Sequence, residues 1–264
     1  MIPNLLSIAG SDPSGGAGIQ ADLKSFAARG AYGMAVITAL TAQNTRGVSG
    51  VHPVPPDFVA AQIAAILADI RVDGVKIGMI ATAAIAEVIA AALPPGLPLV
   101  LDPVMVAKGG APLLPAEAVA ALTRHLLPRA TLLTPNLPEA AALLGAAEAT
   151  GREVMADQAR RLLALGPKAV LLKGGHLAGP DSPDVLATEA GLRWFDGPRV
   201  ATRNTHGTGC ALSSALAVEL AKGAPPDQAV LAAKSWLSDA IAASGALDVG
   251  AGHGPVHHFH ALWR

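Results

Sequence analysis

Short apolar runs alternate along most of the chain with breaks marked by glycine, proline or polar residues. Leu5-Leu6-Ser7-Ile8-Ala9, Ala35-Val36-Ile37-Thr38-Ala39-Leu40-Thr41, Val75-Lys76-Ile77-Gly78, Pro98-Leu99-Val100-Leu101, Thr131-Leu132-Leu133-Thr134 and Ala169-Val170-Leu171-Leu172-Lys173 have the length and apolarity of buried strands. Longer segments of strong helix formers lie between them and predict helices over 19–26, 56–70, 83–93, 116–126 and 153–165, with one more starting near Pro138-Glu139. After His176 the rhythm changes. Val185–Thr188 and Leu192–Phe195 flank a turn at Glu189-Ala190-Gly191 and predict a β-hairpin, and helices follow over 211–220 and 226–243. No linker, repeat or low-complexity stretch divides these units. Six strands alternating with helices predict an α/β fold in a single domain spanning 1–264. Its core is a doubly wound, mostly parallel central sheet with helices on both faces and a small β-hairpin element.

Sheets of this kind bind ligands beyond the carboxyl ends of their strands, so the polar breaks carry the chemistry. Gly10-Ser11-Asp12-Pro13-Ser14-Gly15-Gly16-Ala17-Gly18 follows the first strand. Its glycine spacing approaches a Walker A loop, but Gly16 stands where the lysine is required, and the G-x-G-x-x-G pattern is absent. Gln43 and Asn44 follow the second strand and Asp102 the fourth. Asn136 and Glu139 follow the fifth, three apart and on one side of a helix start. They suit either an N-terminal cap with an acid in its first turn or a metal element. Lys173-Gly174-Gly175-His176 ends the sixth strand. Asn204-Thr205-His206-Gly207-Thr208-Gly209-Cys210 then runs straight into a helix, where unpaired N–H groups and the helix dipole favour an anion. A plain helix cap with glycines in its turn is the alternative. The same field is expected to lower the Cys210 thiol from its usual pKa of about 8.5.

Charged residues are 15% of the 264 and hydrophobic residues 52%, so a large core, a partner subunit or both must bury much of the surface. A net charge of −1 with no basic block argues against nucleic acid or an anionic membrane as partner. One cysteine allows no internal disulfide, and no apolar run approaches the roughly 18 residues of a spanning helix. Met1-Ile2-Pro3-Asn4-Leu5 does not resemble a secretory leader, and the expectation is a soluble cytoplasmic protein. His257, His258 and His260 cluster in the tail, but no cysteine or acid beside them completes a metal site.

Taken together, the stretches 9–24, 39–45, 101–105, 134–140, 173–176, 204–210 and 254–259 resemble the hydroxymethylpyrimidine/phosphomethylpyrimidine kinases of thiamin biosynthesis, within the ribokinase-like superfamily. The resemblance implies phosphoryl transfer from ATP with Mg²⁺, first to 4-amino-5-hydroxymethyl-2-methylpyrimidine and then to its monophosphate. It implies that Gln43 pairs with the pyrimidine, and that Gly10, Asp22, Met79 and Val106 wall its pocket. Asn136 and Glu139 match the family's magnesium element, with Asp102 close to the same phosphates. Lys173, Thr205 and Lys234 are implied nucleotide contacts, and Gly207, Thr208, Gly209 and Cys210 form the anion hole. Sugar kinases of this fold carry an aspartate base where Cys210 stands, which leaves the proton acceptor open. A homodimer is the implied assembly. The rival readings are a pyridoxal or pyridoxine kinase, a non-catalytic pyrimidine or nucleotide sensor, and a hydrolase using Cys210 with His176 or His206. Asn136 and Glu139 would serve no purpose in either of the last two.

Overall fold

The computed structural model describes residues 1–105 and 114–263. Val106, implied as a pocket wall, lies outside them. The chain runs β1 (Asn4–Ala9), α1 (Gly18–Ala28), β2 (Tyr32–Ile37), β3 (Ala39–Asn44), β4 (Gly47–Pro53), α2 (Pro56–Leu67), β5 (Gly74–Ile77), α3 (Ala83–Ala92) and β6 (Leu99–Leu101). It continues through α4 (Ala116–His125), β7 (Leu132–Leu133), α5 (Leu137–Leu144), α6 (Arg152–Leu163), β8 (Ala169–Lys173), β9 (Asp184–Thr188), β10 (Gly191–Phe195), α7 (Thr208–Ala221) and α8 (Pro226–Ala242). Among the described residues the main sheet has the order β10-β9-β8-β7-β6-β5-β1-β2. From β8 to β2 every pairing is parallel, and the β9–β10 hairpin continues the sheet antiparallel.

Strand residues alternate between two cores. Leu6, Ile8, Ile77, Leu101 and Leu133 pack with α2, α3, α4, α5 and α6 on one face. Leu5, Val100, Leu132 and Leu171 pack with α1, α7 and α8 on the other. Burial on both faces explains why these strands read as continuous apolar runs. Helix α7 is buried almost all round, and its small residues Ala211, Ser213, Ser214, Ala215 and Ala217 let it lie close against the sheet. None of the helices among the described residues is long and apolar enough to cross a membrane.

The second predicted strand, 35–41, divides at Thr38. β2 ends the sheet, whereas β3 leaves it and pairs antiparallel with β4 as a separate two-stranded ribbon. Thr38 makes the break: it is fully buried, its N–H donates to the Ala9 carbonyl and its hydroxyl donates to the Met79 carbonyl. No strand was expected over Gly47–Pro53, whose residues are all at least partly exposed and so show no apolar period.

Beneath the carboxyl end of the sheet lies a buried ion pair. Lys76 of β5 and Asp22 of α1 both have no solvent exposure, and the ammonium is 2.9 Å from each carboxylate oxygen. Ser7 and Ser214 also donate to Asp22, at 2.6 and 2.8 Å. The pair therefore ties β1, β5, α1 and α7 together. Burial disfavours the Lys76 charge, but Asp22 and the neighbouring acids outweigh it and hold the pKa above its ordinary value. Removing one partner of such a pair strands the other charge, at a cost of about 3–5 kcal/mol. Asp22→Asn is expected to lower stability by that order in denaturant unfolding. Lys76→Met should cost less, because two hydroxyls still serve the remaining carboxylate; equal or reversed losses would contradict this account.

Candidate active site

The loops that leave β1, β5, β6, β7 and β8 meet residues of β3 and the start of α7 around a cavity of about 500 Å³. That is a usual size for a small-molecule site. Gly10, Gln43, Met79, Asp102, Asn136, Glu139, Lys173, Thr205, Gly207, Thr208, Gly209 and Cys210 all line it. Two of the implied residues are elsewhere. Asp22 is fully buried behind the cavity wall, where it holds Lys76 rather than forming a surface. Lys234 lies outside the lining, bound to the Asp184 carboxylate and the Ser182 carbonyl, so it braces α8 against β9. Sequence position alone could not distinguish a lysine facing a ligand from one facing a buried acid.

The start of α7 is held by two interlocked loops. Gly207 caps α7 in a left-handed conformation, φ 74°, and a Cβ there would lie 1.8 Å from the Gly16 carbonyl oxygen. A Cβ on Gly16 would in turn meet the His206 ring at 2.4 Å. The His206 imidazole Nε2 lies 2.7 Å from Asp12 Oδ2, an oxygen that also accepts N–H bonds from Gly16 and Ala17. Burial would raise the Asp12 pKa, but hydrogen bonds from His206 and Ser14 outweigh it and bring it down to about 2. In the first turn of α7, Ala211 N–H closes on the Gly207 carbonyl at 2.8 Å and Thr208 N–H makes a long 3.5 Å contact with the Thr205 carbonyl, while the N–H groups of Gly209 and Cys210 lie at the helix start where an anion is favoured. At Gly209 a side chain would grow toward Lys173 Nζ and Asp102 Oδ2, 3.5 and 3.6 Å away, so glycine keeps the floor open.

That floor is charged. Lys173 donates to Asp102 at 3.0 Å, and Thr134 and Ser213 add hydroxyls at 3.2 and 3.4 Å. Burial opposes the Asp102 charge, yet Lys173 and Lys76 hold its pKa below the ordinary value. Lys173 is likewise held above its own, because Asp102 and Glu139 outweigh its burial. Glu139 differs: burial pushes its carboxyl up to about 7, and Lys173 offsets this only in part. Asn136 and Glu139 form a reciprocal capping box at the start of α5, with bonds of 2.9 and 2.8 Å. The pair is thus an N-terminal cap, and the cap holds a buried carboxylate at the cavity.

The Cys210 thiol departs from expectation. Burial pushes it up to about 11, and the pull of Lys76 and an N–H bond from Gly18 does not compensate. Asp22 and Asp102, close by, also disfavour a thiolate. Sequence reasoning gave no role to Asp12, Lys76 or Thr41 and weighed His206 only as a hydrolase base, although all four line the cavity. A lone lysine inside an apolar strand was the legible signal for Lys76.

Comparison with known proteins identifies the family and the fold. The family model described as phosphomethylpyrimidine kinase matches residues 12–257. The hydroxymethylpyrimidine/phosphomethylpyrimidine kinase of Escherichia coli K12 is 56% identical over 262 residues, covering 98% of both chains. A crystal structure of an ADP complex of Bacillus subtilis pyridoxal kinase superimposes with a TM-score of 0.89 at 38% identity, covering 99% of each chain. The phosphomethylpyrimidine kinase of Clostridium difficile 630 gives a TM-score of 0.79 at 42% identity, covering 91% of this chain and all of that one.

Cys210 is the only cysteine, so alkylation reports on it alone. With the thiol at about 11, the iodoacetamide rate of the folded protein is expected to climb about tenfold per pH unit from 7 to 10. A plateau near pH 8.5 would contradict the placement of the thiol.

Proposed function

The chain belongs to the phosphomethylpyrimidine kinase family, and from that premise we propose that it uses this cavity for two successive phosphoryl transfers from ATP. In the first, the hydroxymethyl oxygen of 4-amino-5-hydroxymethyl-2-methylpyrimidine bonds to the γ-phosphorus, the bond to the ADP oxygen breaks, and the alcohol proton leaves. In the second, a phosphate oxygen of the monophosphate bonds to another γ-phosphorus as the bond to its ADP oxygen breaks, giving the diphosphate and ADP. The observation that carries this reading is the convergence of the Gly207–Cys210 anion hole, the Lys173–Asp102 pair and Gln43 on one cavity. The closeness of the Escherichia coli relative favours the pyrimidine over pyridoxal.

Each group has a distinct task. Gln43 can donate and accept at once, which suits the amino group and ring nitrogen of the pyrimidine. Gly10 and Met79 line the same cavity and would wall the pyrimidine. The N–H groups of Gly209 and Cys210 would take up charge spread over the transferred group, and Lys173 and Thr205, which line the same cavity, would contact the nucleotide phosphates. Cys210 contributes its backbone N–H; a thiol at about 11 is protonated at neutral pH and is a poor proton acceptor. Loose phosphoryl transfer depends mainly on positioning and charge, so the alcohol proton can leave late.

Magnesium fits the donors present. The ion takes oxygen ligands, usually one or two carboxylates with substrate phosphates and water. Asp102 and Glu139 supply carboxylates, and no cluster of three or more His, Cys, Asp or Glu among the described residues would enclose the ion without substrate. Glu139 is a buried carboxyl short of positive charge, which a bound cation would correct. Asn136, Glu139 and Asp102 would hold it, and it would neutralise phosphate charge when bound. Exposed Leu40, Val51 and Phe58, with the low charge content, support a homodimer. The lone cysteine and near-neutral charge suit a cytoplasmic location without nucleic-acid or membrane partners.

The test is ATP consumption with the pyrimidine alcohol, its monophosphate, pyridoxal and pyridoxine side by side. Both pyrimidines should be turned over, with pyridoxal and pyridoxine well behind. A preference for pyridoxal, or no turnover, would overturn the reading. In the same assay Glu139→Gln should raise the magnesium requirement and slow kcat while the KM for the pyrimidine stays put; a titration that superimposes on wild type would remove the metal role.

A further inference from the structure

Gln43 sits between two groups that can settle which way round its carboxamide lies. As placed, the amide oxygen of Gln43 lies 3.3 Å from Thr41 Oγ1 and the amide nitrogen lies 3.3 Å from His206 Nε2. Oxygen and nitrogen of a carboxamide are told apart by their partners. Asp12, ionised with its pKa at about 2, can only accept, so the 2.7 Å contact requires a proton on His206 Nε2. A protonated ring nitrogen has no lone pair for an amide NH₂, but it can share its N–H with an amide oxygen. On the opposite flank, Thr41 donates its one hydroxyl proton to the Ser11 carbonyl at 2.9 Å, which leaves it lone pairs that suit an N–H. Both flanks ask for the same orientation, the amide turned end for end from that placement.

We propose that Asp12 and His206 on one side and Thr41 on the other lock the Gln43 carboxamide with its oxygen toward His206 and its NH₂ toward Thr41, so that His206 is a specificity-determining positioning residue. The lock is rigid on the histidine side: the ring packs against Gly16, and the His206 backbone N–H donates to the Gly254 carbonyl at 3.0 Å. The outward edge of the amide keeps one lone pair and one N–H for a ligand.

The consequence rests on the reading in which this edge pairs with the pyrimidine. The amide oxygen then accepts from the 4-amino group and the NH₂ donates to ring N3. The 4-amino group therefore faces His206, and the 5-hydroxymethyl arm, on the next ring carbon, lies further to the same side. His206 immediately precedes Gly207, so the arm is aimed at the anion hole. With the amide reversed, the ring must turn over, and the 2-methyl group would face the hole instead. One carboxamide orientation thus supplies both recognition and aim.

The 4-oxo analogue of the substrate tests this, because its N3–H donates and its oxygen accepts, the reverse of the 4-amino pattern. Wild type should prefer the 4-amino acceptor by about 10³-fold or more in kcat/KM, as sites that match a donor–acceptor pattern do. His206→Phe keeps a ring against Gly16 but frees the amide to rotate, and the preference should shrink by about tenfold or more. A purely structural role would lower kcat/KM for both acceptors equally, and an unchanged ratio would overturn the proposal. If His206→Phe does not fold, Thr41→Val releases the other end of the amide and should shrink the same ratio; an unchanged ratio there overturns the proposal as well. Wild type failing to use the 4-amino acceptor would refute the functional reading, and this assignment with it, whereas turnover with an unmoved ratio refutes this assignment alone.

Discussion

The hydrogen bond between Asp12 and His206 joins positions 194 apart in sequence, and the site depends on it. One oxygen of Asp12 serves the N–H groups of Gly16 and Ala17 as well as the imidazole, so the loop after β1 and the loop before α7 share a single acceptor. Gly207 can then pass so close to Gly16 that only glycine fits, and the N-terminus of α7 is presented to the cavity in a fixed place. Helix dipole, unpaired N–H groups and the carboxamide of Gln43 all take their positions from that closure. A hole built from backbone in this way needs little reorganisation when charge develops, which is where such sites gain their effect.

Among the described residues around the hole, two lysines are each balanced by a buried acid. Lys76 is matched by Asp22 and Lys173 by Asp102, and the acids hold both lysines above their ordinary pKa. Glu139 has no full match and rests near neutrality at about 7, the group most responsive to an arriving cation. Cys210 lies among these charges, yet burial keeps it a thiol. The acids that steady the lysines are the same ones that disfavour a thiolate, so the floor cannot serve both purposes.

Much of the frame was legible because strands buried on both faces and helices buried on one leave plain hydrophobic patterns. The order of elements, the mostly parallel sheet and the gathering of Asp102, Asn136, Glu139, Lys173 and 207–210 at one edge all followed from where apolar runs stop. What failed to show was settled by contacts between distant residues. Thr38 ends one strand and begins another through bonds to Ala9 and Met79, and the exposed β4 carries no apolar period at all. Asp22 and Lys234 have the right residue types for a site, but each is spent on a buried partner of opposite charge. The pKa of Cys210 turned on burial, a quantity that a helix-start argument does not contain.

The central claim is that the backbone hole, and not a side-chain base, drives both transfers. Single-turnover rates for the alcohol and for the monophosphate, compared in wild type and Cys210→Ala, test it most directly. The substitution leaves every backbone N–H of the hole in place, so both steps should stay within a few-fold of wild type. A selective loss of about 10²–10⁴-fold in the alcohol step, the scale of a lost general base, would contradict the account.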